Sequence, residues 1–170
     1  MIAASEMRSE KTPGIRTSDL TSSVVYVDEV VGLSAIFEEK TNVVVMRRSV
    51  SDGVVGDAAR ASQMPGFRRV AAVDPSVAAS ELKDVLAGLP HLATDVRFWS
   101  EVLVELTGCR SVGLRLAVMD APMCPRLHVD RVTLRLVVAY EGAGTEFVSN
   151  HQVDRSQLGH QSGGTMDDES

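Results

Sequence analysis

His128 and Asp130 stand two apart in the stretch CPRLHVDRVTLRLVVAYEGAGTEF, residues 124–147. In an extended segment, residues i and i+2 point to the same face. One imidazole and one carboxylate then converge on a shared point, as a metal ion requires. Cys124 joins that face if the extended conformation reaches back to it, and Pro125, which cannot donate to a ladder, suits a strand start or edge. A thiolate, an imidazole and a carboxylate together form a donor set for zinc or iron(II). The His-x-Asp pair is also two-thirds of the facial triad that holds non-haem iron(II) and leaves positions open for oxygen and substrate. The plain alternative is a solvated pair, since a lone His-x-Asp arises by chance in many proteins. The context favours chemistry: an apolar run, Val132–Tyr140, follows directly, and a Gly-x-Gly-Thr-Glu turn closes it.

The elements that must position this cluster can be read from periodicity. Residues 1–22 are rich in Ser, Thr, Glu and Lys and contain Pro13-Gly14, so they are expected to be disordered. Val27, Val30, Val31, Ser34 and Phe37 recur at helical spacing and predict a helix starting near Asp28. Val43–Met46 is a β-branched run expected as a buried strand. Residues 51–67 suit a short helix ended by Pro65-Gly66, and Phe67–Val73 a second strand. Asp74-Pro75 predicts another helix start, with an aspartate N-cap and proline at the first helical position, and Gly88 and Pro90 its end. Thr94 can cap a further helix, with Asp95 in its first turn and Trp99, Val102, Leu103 and Leu106 as a core stripe, stopped by Gly108. Ser111–Met119 alternates as a strand, and Leu127–Tyr140 is the longest strand signal. Gly142 and Gly144 make a turn, and Thr145–Val148 opens one more strand. Helices dominate residues 28–108 and strands 111–148, a segregation that predicts α+β rather than alternating βαβ units. The expected organisation is a single α+β domain over 23–150 and a polar, disordered tail over 151–170.

Size and charge bound the rest. The chain has 170 residues, 44% of them hydrophobic, enough for one domain with a real core. Its net charge of −6 argues against nucleic acid as a partner, because backbone phosphates need a basic face. Arg47-Arg48 and Arg68-Arg69 are the paired basic residues, and both pairs read as solvated surface. No apolar run approaches the roughly 20 residues that span a bilayer, and the N-terminus lacks the apolar core of a signal peptide. A cytoplasmic protein without a membrane partner is expected. Its two cysteines, Cys109 and Cys124, are then thiols, with Cys109 expected to fill core. No P-loop, dinucleotide-binding glycine loop or Ser-His-Asp nucleophile pattern occurs.

The segment around His128 resembles the iron(II)/2-oxoglutarate oxygenases of the prolyl hydroxylase type. In these a His-x-Asp is followed by an apolar strand and a Gly-Gly-x-Thr-x-Phe segment. The matching positions here are His128, Asp130, Gly144, Thr145 and Phe147. More closely, residues 124–147 resemble the signature of a bacterial family catalogued as domain of unknown function 1826. The resemblance implies an antiparallel double-stranded β-helix, cupin-like, with the helical N-terminal part packed on it. It implies zinc or iron at Cys124, His128 and Asp130, and, because members are often encoded beside zinc-handling GTPases, a role in metal homeostasis with a metal-handling partner protein. The oxygenase pattern also asks for a second histidine on a later strand and a basic residue for the 2-oxoglutarate carboxylate. His151 and His160 are the later histidines, both in polar sequence, and no downstream basic strand residue occurs. A C-terminally truncated, incomplete barrel is therefore expected, without 2-oxoglutarate. A missing closing strand would leave a sheet edge that pairs with a second copy, so a homodimer is expected. The alternatives to a metal-binding protein are an oxygenase and a non-catalytic interaction module or remnant.

Overall fold

The computed structural model describes residues 2–5, of which only the backbone is considered, and residues 23–76, 82, 84–121, 128 and 132–147. The elements run β1 (Ile2–Ser5), β2 (Val24–Val27), a 3-10 helix (Val30–Phe37), β3 (Val43–Arg47), α1 (Asp52–Ser62), β4 (Arg68–Val73), α2 (Pro90–Thr107), β5 (Val112–Ala117) and β6 (Leu136–Ala139). Helix and strand are mixed, as the α+β reading requires. Of the segment expected to be disordered, residues 2–5 form β1 and the remainder lies outside the described residues, as does the polar tail.

The strands form two sheets. One is four-stranded, in the order β2-β3-β1-β6, and every pairing in it is parallel. The other is the antiparallel pair β4-β5. The larger sheet therefore departs from the antiparallel double-stranded β-helix expected from the sequence, and the described residues form no such barrel. The physical reason lies in β3: Val44, Val45 and Met46 are all buried, so this strand is covered on both faces, as parallel strands are. Strands β4 and β5 alternate instead between buried or half-buried and exposed positions, which suits a sheet with one wet face.

Local chemistry fixes the helices. Ser51 caps α1, its Oγ accepting from the Val54 amide at 3.4 Å, with Asp52 in the first turn and Arg60 in the last. Asp74 accepts from the Ser76 amide at 3.0 Å and from its hydroxyl at 2.5 Å, which closes the turn at Pro75. These bonds, with Arg110, hold its carboxyl below the usual carboxylate range. Pro90 does not end the preceding segment; it opens α2 at the first helical position. Thr94 is inside α2 and donates to the Pro90 carbonyl rather than capping. The cap comes from another helix. The fully buried Asp57 of α1 accepts from the amides of His91 (2.8 Å) and Leu92 (3.0 Å), and Arg60 pairs with it from its solvent side. Gly108 ends α2 with φ at +67°, a left-handed conformation that glycine adopts without steric cost.

Helix α2 joins two apolar clusters. Its first half gives Leu92 and Val96 to a cluster with Val54, Ala61, Phe67, Val73, Leu82, Leu86 and Leu89, between α1 and the β4-β5 sheet. Its second half gives Trp99 to a cluster with Leu33, Val44 and Met46, flanked by Val102, Leu106, Leu136 and Val138, on the parallel sheet. The stripe predicted at Trp99, Val102 and Leu106 is core. Cys109, expected there too, is exposed beyond the glycine stop.

Candidate functional site

Of the residues proposed as metal ligands, His128 is described and exposed; Cys124 and Asp130 lie outside the described residues. Among the described residues no group of three or more His, Cys, Asp or Glu side chains could hold a metal ion. The long strand expected from Leu127 is realised, within the described residues, only as Leu136–Ala139. Residues 132–135 are irregular, and Thr145–Phe147 are not strand. Within the described residues, the alternation that aligns even-numbered side chains has a strand behind it only from Leu136. Arg115, Arg135 and Glu146 are exposed.

The segment that carries His128 is nonetheless tied down at its far end. Leu134, Leu136 and Val138 pack on the Trp99 cluster. Tyr140, the next residue after β6, donates its hydroxyl to Asp95 Oδ2 at 2.8 Å. The same carboxylate receives both terminal nitrogens of Arg48, at 2.6 and 2.7 Å. The Arg48 guanidinium carbon lies 5.1 Å from the Trp99 ring centroid and 5.9 Å from that of Tyr140, within cation–π range of both. Asp95 and Trp99 are four apart on α2 and so share a face. The pair is shielded, with side-chain exposures of 13% for Arg48 and 12% for Asp95, so water screens it poorly. Trp99 Nε1 is buried and has no hydrogen-bond partner among the described residues.

This cluster stands at the carboxyl end of the parallel sheet. Arg47, Ser5 and Ala139 are register partners across β3, β1 and β6, and Arg48 and Tyr140 each follow by one residue. Ligands of open parallel sheets gather at that end, yet the chemistry here is that of a clamp. Both carboxylate oxygens are engaged, the guanidinium is neutralised and stacked, and neither free base nor nucleophile is left. Its effect is to hold the ends of β3 and β6 against one helix, and through β6 to fix where the His128 segment enters the sheet. The sequence reading missed it: Arg48 was assigned to a solvated pair, which holds for the exposed Arg47 but not for Arg48. In the other pair Arg68 is exposed, while Arg69 lies over the Phe67 ring and donates to the Val85 carbonyl.

The sequence profile of a family described as "Protein of unknown function (DUF1826)" matches residues 27–170. The chain belongs to this family. Searches of curated proteins and of solved structures find no match to it. The family match covers the Arg48, Asp95 and Tyr140 clamp and the whole His128 segment. No helix of the described residues is long and apolar enough to cross a membrane.

Burial pushes the Tyr140 phenol above the ordinary tyrosine range; the adjacent Asp95 charge and hydrogen bond add to the shift, and Arg48 opposes it in part. The folded chain thus keeps this proton at pH values where an unfolded tyrosine, with a pKa of about 10, has lost it. The unfolded state then binds fewer protons. Stability is intact below about pH 10 and falls as pH rises beyond it, by about 1.4 kcal/mol per unit. Tyr140→Phe should flatten that alkaline decline. In a Tyr26→Phe chain, whose remaining tyrosine is Tyr140, phenolate absorbance should rise only together with loss of near-ultraviolet circular dichroism. Ionisation of a chain that is still folded would contradict the burial of this phenol.

Proposed function

We propose that the chain binds one divalent transition-metal ion, zinc or iron(II), through Cys124, His128 and Asp130, and serves bacterial metal homeostasis. The observation that carries this is the donor set itself, Cys-x-x-x-His-x-Asp, with His128 at an exposed position. Thiolate, imidazole and carboxylate together suit zinc, and the His-x-Asp pair with open positions suits iron(II). The anchoring of β6 on the Trp99 cluster and of Tyr140 on Asp95 gives the chain that follows these residues a fixed base. The homeostasis role follows from the family resemblance, with a metal-handling protein as the partner it implies and the cytoplasm, where Cys124 is a thiol, as the setting.

The test is titration with cobalt(II), a spectroscopic stand-in for zinc, followed by metal analysis of protein purified without chelator. One equivalent should bind, with a thiolate-to-metal charge-transfer band that Cys124→Ser abolishes and Cys109→Ser leaves intact. His128→Ala should weaken binding by more than the roughly 10–100-fold that loss of an outer-shell partner costs. Metal content that is unchanged in a chain carrying Cys124→Ser, His128→Ala and Asp130→Ala would reject the proposal. Turnover of 2-oxoglutarate by the iron-loaded chain would move the reading to an oxygenase.

A further inference from the structure

The 3-10 helix Val30–Phe37 has three residues per turn, so residues three apart eclipse one another along it. Val30, Leu33 and Ile36 form its inward row, and Leu33 is fully buried between β2 and β3. Val31, Ser34 and Phe37 form the outward row. Val31 is 75% exposed and Phe37 63%, beside Tyr26 at 54% on the adjoining strand β2. A single exposed apolar side chain is ordinary. A row of them along one helix face, next to an exposed aromatic, has the character of an interaction surface.

Charge surrounds the row at both ends. Asp28 and Glu29 precede the helix, Glu38 and Glu39 follow it, and all are exposed. None of them takes part in the described ion pairs, which are Arg48–Asp95, Arg60–Asp57, Arg97–Glu101 and Arg110–Asp74. Among the described residues the nearby cations are Lys40, next along the chain, and Arg47, whose guanidinium carbon lies 5.4 Å from the Tyr26 ring centroid. The surface is thus apolar at its centre and acidic at its rim, the layout of a docking site with an electrostatic frame.

This frame selects the occupant. A second copy meeting the same face would set carboxylates against their own copies, on a chain that already carries a net charge of −6. An anionic membrane is disfavoured for the same reason. We propose that the Val31–Ser34–Phe37 face docks a partner protein through a basic amphipathic segment, in which apolar side chains stand between lysines or arginines. The apolar residues would cover Val31 and Phe37, and the cations would lie against Asp28, Glu29, Glu38 and Glu39.

The experiment uses the full chain with a fluorescently labelled helical peptide of leucine and lysine in amphipathic order, and its leucine–glutamate counterpart as control. Anisotropy should report saturable binding of the lysine peptide alone, weakened by added salt. A chain carrying Val31→Ser and Phe37→Ser should lose at least about tenfold in affinity. Glu38→Lys with Glu39→Lys should lose as much and show a shallower salt dependence, while Val70→Ser, at an exposed position on β4, should change nothing. These substitutions are at exposed positions, and far-ultraviolet circular dichroism confirms that each variant folds. The proposal fails if no saturable binding occurs, or if the Val31→Ser, Phe37→Ser chain binds as well as the parent. It also fails if Phe37→Ser abolishes self-association seen in sedimentation, which would make the occupant a second copy, or abolishes binding to phosphatidylserine vesicles, which would make it a membrane.

Discussion

Asp95→Ala is expected to cost about 3–5 kcal/mol of folding stability, the loss typical of removing one partner from a buried ion pair. Asp95 satisfies three donors at once: both terminal nitrogens of Arg48 and the hydroxyl of Tyr140. Without it, the guanidinium keeps its charge between the Trp99 and Tyr140 rings, where little water can reach it, and the phenol loses its acceptor. Most of the cost is thus the stranding of Arg48, not the loss of attraction. Removing both charges separates the two. A chain with Arg48→Met and Asp95→Leu leaves no orphan cation and fills the space with apolar atoms, so it should be clearly more stable than Asp95→Ala alone. Denaturant unfolding with an unchanged m-value is the measurement, since a shift in midpoint at constant slope reports stability alone. An Asp95→Ala chain within about 0.5 kcal/mol of the parent, the range of ordinary surface substitutions, would show that the cluster is solvated and the clamp does not exist.

Elements whose cause is local were legible in the sequence. The short helix before Pro65-Gly66, the Asp74-Pro75 turn, the Trp99 stripe, the Gly108 stop and the β-branched run at Val43 each carry their explanation within a few residues. What escaped was non-local or depended on the period. Val27, Val30, Val31, Ser34 and Phe37 suggested an α-helix because spacings of three and four suit a turn of 3.6. The actual turn of three puts Val31, Ser34 and Phe37 on the solvent side and Val30 and Leu33 on the core side. Absorbing Val27 into that helix also concealed β2. Strand direction was misjudged because parallel or antiparallel pairing is set by partners far along the chain: Val43–Arg47 pairs with residues 2–5 on one side and Val24–Val27 on the other.

The candidate site shows the same divide. The Cys124, His128, Asp130 spacing is visible to anyone reading the chain, and its meaning depends on side-chain directions that spacing alone does not supply. The clamp is the converse case. Arg48, Asp95 and Tyr140 have no sequence signature, because Asp95 is 47 residues from one partner and 45 from the other. With α2 thought to start near Thr94, Asp95 looked like a first-turn acid facing the helix dipole. With α2 starting at Pro90, it lies a turn further in, on the face of Trp99, where a carboxylate needs partners of its own.

Asp57→Ala is expected to cost about 2–4 kcal/mol, because it leaves helix donors buried and unpaired. Leu89, at the N-cap position of α2, makes no side-chain capping bond. The first amides of this 18-residue helix therefore depend on a carboxylate supplied by α1. That carboxylate is fully buried, so no water can replace it. It also complements the positive end of the α2 dipole, and Arg60 balances its charge. Arg60 is 53% exposed, and its removal leaves Asp57 without a counter-charge but still bonded to two amides at the positive end of the α2 dipole, so it should cost less. Asp57→Asn keeps an acceptor oxygen of nearly the same shape but gives up the charge, and should fall between the two. The order Asp57→Ala, then Asp57→Asn, then Arg60→Ala is the signature of a cap. The opposite order, with Arg60→Ala the most damaging, would mean that the ion pair and not the capping bonds holds α1 to α2. For a chain of this length the first substitution should lower the melting temperature by roughly 5–15 °C. Amide exchange should rise first at His91 and Leu92, because the donors released by the missing carboxylate belong to those two residues.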